Sequence, residues 1–323
     1  MLSPHRIDAD VPSPGGSRWR ADLASKLRHA CEIDVLSIKP GNVSVASPGH
    51  GMSADDFLAS AAAILDPMTQ PGSSVGERIL ASISATRSVV GCNTNLGIVL
   101  LCAPLSHAAL NRKPGQPFRE ALDDCIAILT VSDAVNAYAA IRLAQPAGLG
   151  RRATHDVADA PTISLREAMV EAQNHDSIAR QYANGFADIF GCQRILSHLR
   201  RRWNDDRWTA TAVYLDLLAR NPDSHVARKF GLDMALRISH EALPLSQAAL
   251  QSAEPDELLP RLRKWDDELK AAGINPGTSA DLTVAAIYLN GIISMFELEL
   301  TAGEALSHPL ATQPWEQSRI LAN

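Results

Sequence analysis

The chain has 323 residues, with 30 Lys+Arg against 36 Asp+Glu and a formal net charge of −6. This length fits one large domain or two small ones, and 46% hydrophobic against 20% charged residues excludes a chain disordered by composition. No overall basic field is present to attract nucleic acid or anionic lipid, so neither is expected as a partner.

In chain order, residues 1–18 carry Pro4, Pro12, Pro14, Gly15 and Gly16 without periodicity and read as a tail, with no apolar signal core. Leu23, Leu27, Ala30, Cys31, Val35 and Ile38 then recur at helical spacing, and Lys39-Pro40-Gly41 ends that helix. Ser53 and Asp56 form a capping-box pattern for a helix to about Leu65. A helix over about Val75–Val90 follows, and after Gly91-Cys92-Asn93-Thr94-Asn95 the apolar run Leu96–Leu105 reads as a buried helix. That run is about half of the roughly 20 residues that a membrane span needs, so no membrane partner is expected.

Pro117–Ala144 is periodic, and Gln145–Asp159 is a connection. Ile163–Phe190 reads as one long helix, followed by helices over Trp208–Arg220, His225–Ser239, Glu257–Ala272 and Ala280–Leu300. Strand patterning is nearly absent. The expected fold is all-α: a single domain of roughly nine to eleven helices over residues 19–303, with a C-terminal tail over 304–323. Five cysteines without a C-x-x-C pair fit a reduced, cytoplasmic setting rather than a disulfide or zinc scaffold.

Four polar clusters interrupt this background. In Glu32…Lys39-Pro40-Gly41-Asn42, followed by His50, Lys39 can reach a phosphate while Gly41 admits a ligand to the backbone; equally, the lysine can complement the helix dipole before a Pro-Gly stop. Asn93, Thr94 and Asn95, between strongly apolar flanks, can cradle an anion or ribose, or cap the next helix. Asp176 lies about 20° from Leu165 and Met169 on a helical wheel, so it should be paired, with Arg180 one turn on as partner, or else contact metal or substrate. Asp223-Ser224-His225-Val226-Ala227-Arg228-Lys229 and Asn275-Pro276-Gly277-Thr278-Ser279-Ala280-Asp281 read as helix N-termini, with one of Arg228 and Lys229 free to meet a phosphate. His175-Asp176 raises a separate reading, a metal-dependent phosphohydrolase, with His155 and Asp216 as the further ligands it requires.

The ordered series Lys39-Pro40-Gly41-Asn42-Val43, Phe57-Leu58-x-Ser60-Ala61, Gly91-Cys92-Asn93-Thr94-Asn95-x-Gly97, Leu165-Arg166-Glu167-Ala168-Met169, Asp176…Arg180-Gln181-Tyr182 and the last two clusters resembles the triphosphoribosyl-dephospho-CoA synthase family, over about residues 24–300. The later segments look like the branch found in methanogens and methylotrophs. Members that make a lyase prosthetic group carry His-x-Asp-Met after Lys-Pro-Gly; this chain has His50-Gly51-Met52, with acids only at Asp55 and Asp56.

The resemblance implies a helical transferase that moves the triphosphoribosyl group of ATP to the 2′-hydroxyl of 3′-dephospho-CoA and releases adenine. A related enzyme of tetrahydromethanopterin-linked cofactor synthesis, with another phosphorylated acceptor, and a non-catalytic nucleotide-binding protein are the rival readings. An oxocarbenium-like transition state and a triphosphate call for carboxylates, cations and Mg²⁺. Lys39, Arg180, Arg228 and Lys229 are therefore expected on phosphates. Gly41, Asn42, Asn93, Thr94 and Asn95 are expected around the nucleotide. Asp176 and Asp281 are expected on Mg²⁺ or the developing cation, and Glu32 or His50 in proton transfer. A homodimer is an open expectation.

Overall fold

The computed structural model describes residues 16–49, 51–146, 150 and 154–307, with side chains described to residue 297. Most of the two expected tails, together with His50, therefore lies outside the described residues.

The described chain is helical throughout apart from turns and two isolated bridges, Ser44 with Ser47 and Gly49 with Met52. The helices are α1 (Ser17–Leu36), α2 (Ala54–Thr69), α3 (Val75–Val89), α4 (Leu96–Asn111), α5 (Phe118–Ala127), α6 (Val131–Ala144), α7 (Leu165–Ala172), α8 (Ser177–Asn184) and α9 (Ala187–Gly191). They continue with α10 (Gln193–Trp203), α11 (Asp206–Arg220), α12 (Ser224–Phe230), α13 (Leu232–Gln251), α14 (Leu259–Ala271) and α15 (Gly277–Ser307).

The all-α expectation holds, but the helices exceed nine to eleven because periodic stretches are cut by local chemistry. Ile163–Phe190 is three helices. Asp176 caps α8 by accepting from the Ile178 and Ala179 amides, and Gly185 and Phe186 take left-handed conformations after it. Thr130 and Asp133 form a capping box that separates α6 from α5. Gly231 divides the expected His225–Ser239 helix into α12 and α13. Helix α10 was not expected, because its Arg200-Arg201-Arg202 run masks an apolar edge formed by Leu196 and Leu199.

The main core gathers α1–α6, α8 and α15, including Leu23, Leu27, Ile64, Ile79, Leu101, Leu105, Tyr182 and Leu289. A second cluster joins α11, α13 and α14 through Tyr214, Leu218, Ile238, Leu262 and Trp265. By length and composition Gly277–Glu297 of α15 could cross a bilayer, but 67% of it is buried within this core. Pro104 inside α4 has no amide to donate to Leu100 O; the Tyr182 hydroxyl donates to that carbonyl instead, at 2.5 Å, and ties α8 to α4.

Candidate functional site

The first turns of α4, α8 and α15 form the walls of one cavity of about 170 Å³, through Leu96, Gly97 and Ile98, through Ile178, and through Gly277, Thr278 and Asp281. Helix N-termini present amides without intrahelical partners and the positive end of the helix dipole. Three of them border this cavity together with Arg228 of α12, although the α8 amides are already engaged, Ser177 with Ser224 Oγ and Ile178 and Ala179 with Asp176, and Ser279 of α15 donates to Asp223.

Of the residues expected at a site, Asn42, Asn93, Thr94, Asn95, Asp176, Arg228 and Asp281 line this cavity together. The Asn93-Thr94-Asn95 turn is held by its side chains. Asn93 Oδ1 accepts from the Leu96 amide (3.2 Å), Thr94 shares a hydrogen bond with Ser60 (2.6 Å), and Asn95 Nδ2 donates to Thr86 Oγ1 (3.0 Å). These are the capping and bracing bonds of the second reading, in a turn that also forms part of the cavity wall.

Asp176 uses one carboxylate oxygen to cap α8, and the other accepts from Arg228 Nη1 at 2.7 Å. Its partner is thus Arg228 rather than Arg180, since a cap sits before the helix and not one turn below position 180. Arg180 pairs with Asp188 at 3.0 Å, although it lines a neighbouring pocket of about 330 Å³ with Asp176 and Arg228. Arg228 and Lys229 separate as adjacent helical residues must: Lys229 donates to Gly273 O (3.3 Å) beside the Phe230 ring and does not line the cavity.

Lys39 also does not line it. Its ammonium is buried, donating to Asp34 and to Asn42 Oδ1 (2.9 Å), so it acts on the cavity through those two residues. Gly41 admits the protein rather than a ligand. At φ +82° its amide donates to Asp266 Oδ1 (2.8 Å), and a Cβ there would meet Ile274 O and Pro276 Cδ at 2.9 Å. Glu32 is half-buried on α1 and is absent from the lining, while His50 lies outside the described residues.

Asp34, Asn275, Thr278 and His225 line the cavity without having been singled out as site residues. Asp34 was legible, because it lies four residues after Ala30 and seven after Leu27 on the buried stripe of α1, where an unpaired carboxylate is costly. Burial raises its pKa, while the charge of Lys39 and the hydrogen bond from it pull the other way. Asn275 Oδ1 accepts from Asn42 Nδ2 (2.9 Å), and Thr278 Oγ1 accepts from Ser224 (3.0 Å).

Asp281 projects into this cavity with no protein hydrogen bond to its carboxylate among the described residues. Burial raises its pKa well above the ordinary carboxylate range; Asp34 and Asp223 add to the shift, while Lys39 and Arg228 oppose it. A half-buried carboxylate that shares its cavity with a second acid, Asp34, is an arrangement that a cation would relieve. Among the described residues no group of three His, Cys, Asp or Glu side chains is placed to hold a metal. The phosphohydrolase reading fails accordingly: His155 pairs with Glu171, and Asp216 with Arg220.

Against known proteins, residues 20–299 match the family model for ATP:dephospho-CoA triphosphoribosyl transferase (CitG). A solved chain from Archaeoglobus fulgidus, described as a triphosphoribosyl-dephospho-CoA synthase, superposes with a TM-score of 0.56 at 24% identity. The match covers 72% of this chain and 97% of that one, and at this identity it shows a shared fold. No curated protein matches the chain.

Proposed function

Because the chain belongs to the ATP:dephospho-CoA triphosphoribosyl transferase family, we propose that its polar cavity holds the ribose and triphosphate of ATP during transfer to dephospho-CoA. In that reaction the C1′–N9 bond breaks, adenine leaves with the electron pair and takes a proton, and the acceptor hydroxyl oxygen bonds C1′ as it loses its own. Positive charge develops at C1′ before the new bond is complete.

The single observation that carries this reading is the convergence of three helix N-termini, Arg228 and the Asp281 carboxylate on one cavity. Arg228 and the positive ends of the helix dipoles suit the phosphate oxygens. Asp281 is placed to stabilise a cation at the sugar carbon. Asn93 and Thr278 suit ribose hydroxyls, and His225 takes over the proton-transfer assignment from Glu32, since it lines the cavity and Glu32 does not.

Two carboxylates plus substrate phosphates fit Mg²⁺, which rarely uses an all-protein cage. Asp281 and the Asp34 oxygen not bonded to Lys39 are the residues that would hold it, rather than Asp176, whose oxygens are taken by the α8 cap and Arg228. When bound, the ion would neutralise triphosphate charge. We place the activity in the cytoplasm.

The test is adenine release from ATP, measured with dephospho-CoA and with other phosphorylated acceptors. The expectation is stoichiometric adenine and triphosphoribosyl-dephospho-CoA, with Asp281→Asn slower by about 10²–10³, the usual cost of losing one preorganised electrostatic group. ATP binding without adenine release, whichever acceptor is supplied, would refute the assignment.

A further inference from the structure

A second cavity, of about 230 Å³, adjoins the polar one. The two share Leu100, Ile141 and Ile178, together with the Asp176–Arg228 ion pair. Their chemistry differs. The second is walled largely by apolar side chains, Leu100, Ile141, Leu165, Met169 and Ile178 among them, and its polar lining includes the hydrogen-bonded His155 and Glu171.

His155 sits in a left-handed conformation, φ +49°, which is uncommon outside glycine, and its surroundings fix it there. Those surroundings are visible: the Tyr138 hydroxyl donates to its carbonyl at 2.9 Å, and Glu171 Oε2 lies 2.8 Å from its Nδ1. An apolar slot with a few fixed polar groups at one edge is the usual form of a small-molecule subsite.

We propose that this apolar cavity is the binding site for the adenine ring of the donor ATP, the ring that departs on transfer. The inference rests on the reading of the polar cavity as the ribose–triphosphate site. Base and ribose are joined by a single bond, so a ribose in the polar cavity puts its base in a space adjoining it, and the apolar cavity adjoins it through the shared residues Leu100, Ile141 and Ile178. The apolar walls hold the flat faces of the ring, and the His155–Glu171 edge offers hydrogen-bonding groups to its nitrogens. The Asp176–Arg228 pair lines both cavities.

The test compares calorimetric affinities for ATP, inorganic triphosphate and dephospho-CoA in the whole protein. Ala168→Leu and, independently, Ala172→Leu introduce bulk into the slot from α7, with folding checked by thermal melting. ATP affinity should fall at least about tenfold, equivalent to about 1.4 kcal/mol, while triphosphate and dephospho-CoA affinities stay unchanged. In the wild type, ATP but not triphosphate should protect amides of residues 168–172 from hydrogen exchange, a readout that survives if neither variant folds. Unchanged ATP affinity, a loss confined to dephospho-CoA, or equal protection of α7 by triphosphate would overturn the proposal. Failure of the wild type to release adenine, alongside the predicted loss of ATP affinity, would instead retire the transferase assignment and leave the base site standing.

Discussion

Gly97 and Asp281 meet so closely that a Cβ built on the glycine would overlap the Asp281 carboxylate. Position 97 is in the first turn of α4 and position 281 in the first turns of α15. The absent side chain is what lets the carboxylate occupy the mouth of the α4 helix dipole.

Gly97→Ala should therefore displace Asp281 and cost about 1–3 kcal/mol, as overpacking usually does. Adding Asp281→Ala to Gly97→Ala should recover much of the stability and none of the activity. Denaturant midpoints and adenine-release rates for the three variants separate the two effects.

Asp281 also makes stability depend on pH. Burial, then the charges of Asp34 on α1 and Asp223 before α12, raise its pKa, against the opposing pull of Lys39 and Arg228. The folded protein therefore keeps a proton that the unfolded chain releases near 3.8. The group's full contribution is present below that value and declines as pH rises towards its folded pKa. In chelator-containing buffer, Asp281→Asn should melt higher than wild type at neutral pH, and the gap should close as the pH is lowered towards 4. A gap independent of pH would contradict this assignment.

Lys39 is predicted to matter first for stability. Removing one member of a buried ion pair strands the other charge, at a cost of about 3–5 kcal/mol. Lys39→Met should show that loss in equilibrium unfolding, and adding Asp34→Asn should return part of it. A surface-like loss of a few tenths of a kcal/mol would mean that the pair is not buried in solution.

Much of this was legible beforehand. The capping boxes at Ser53–Asp56 and the apolar spacing of α1 are local signals, and local signals survive folding. Asn93 and Asp176 stood out because polar groups beside apolar runs need a reason, Arg228 because it adjoins a second cation, and Asp281 through the helix-start cluster that shares in the family resemblance. Their partners were not legible, because pairing is a tertiary fact. Arg180 is one turn from Asp176 in sequence, yet it pairs with Asp188, while Arg228 reaches Asp176 from 52 positions away. The burial of Lys39 was hidden for the same reason. A lysine at a helix end is ordinarily solvated, and only the packed structure closes Asp34 and Asn42 around it. The break at residues 173–176 is hidden in the sequence because the apolar period continues through it, although Asp176 is itself a strong N-cap residue.

The most direct measurement of the central claim is amide hydrogen exchange of the intact protein with and without ATP and Mg²⁺. The account predicts that protection is concentrated in residues 94–98, 177–180 and 277–281, the three helix starts around the cavity. Protection elsewhere, with those three segments unchanged at saturating ATP, would contradict it.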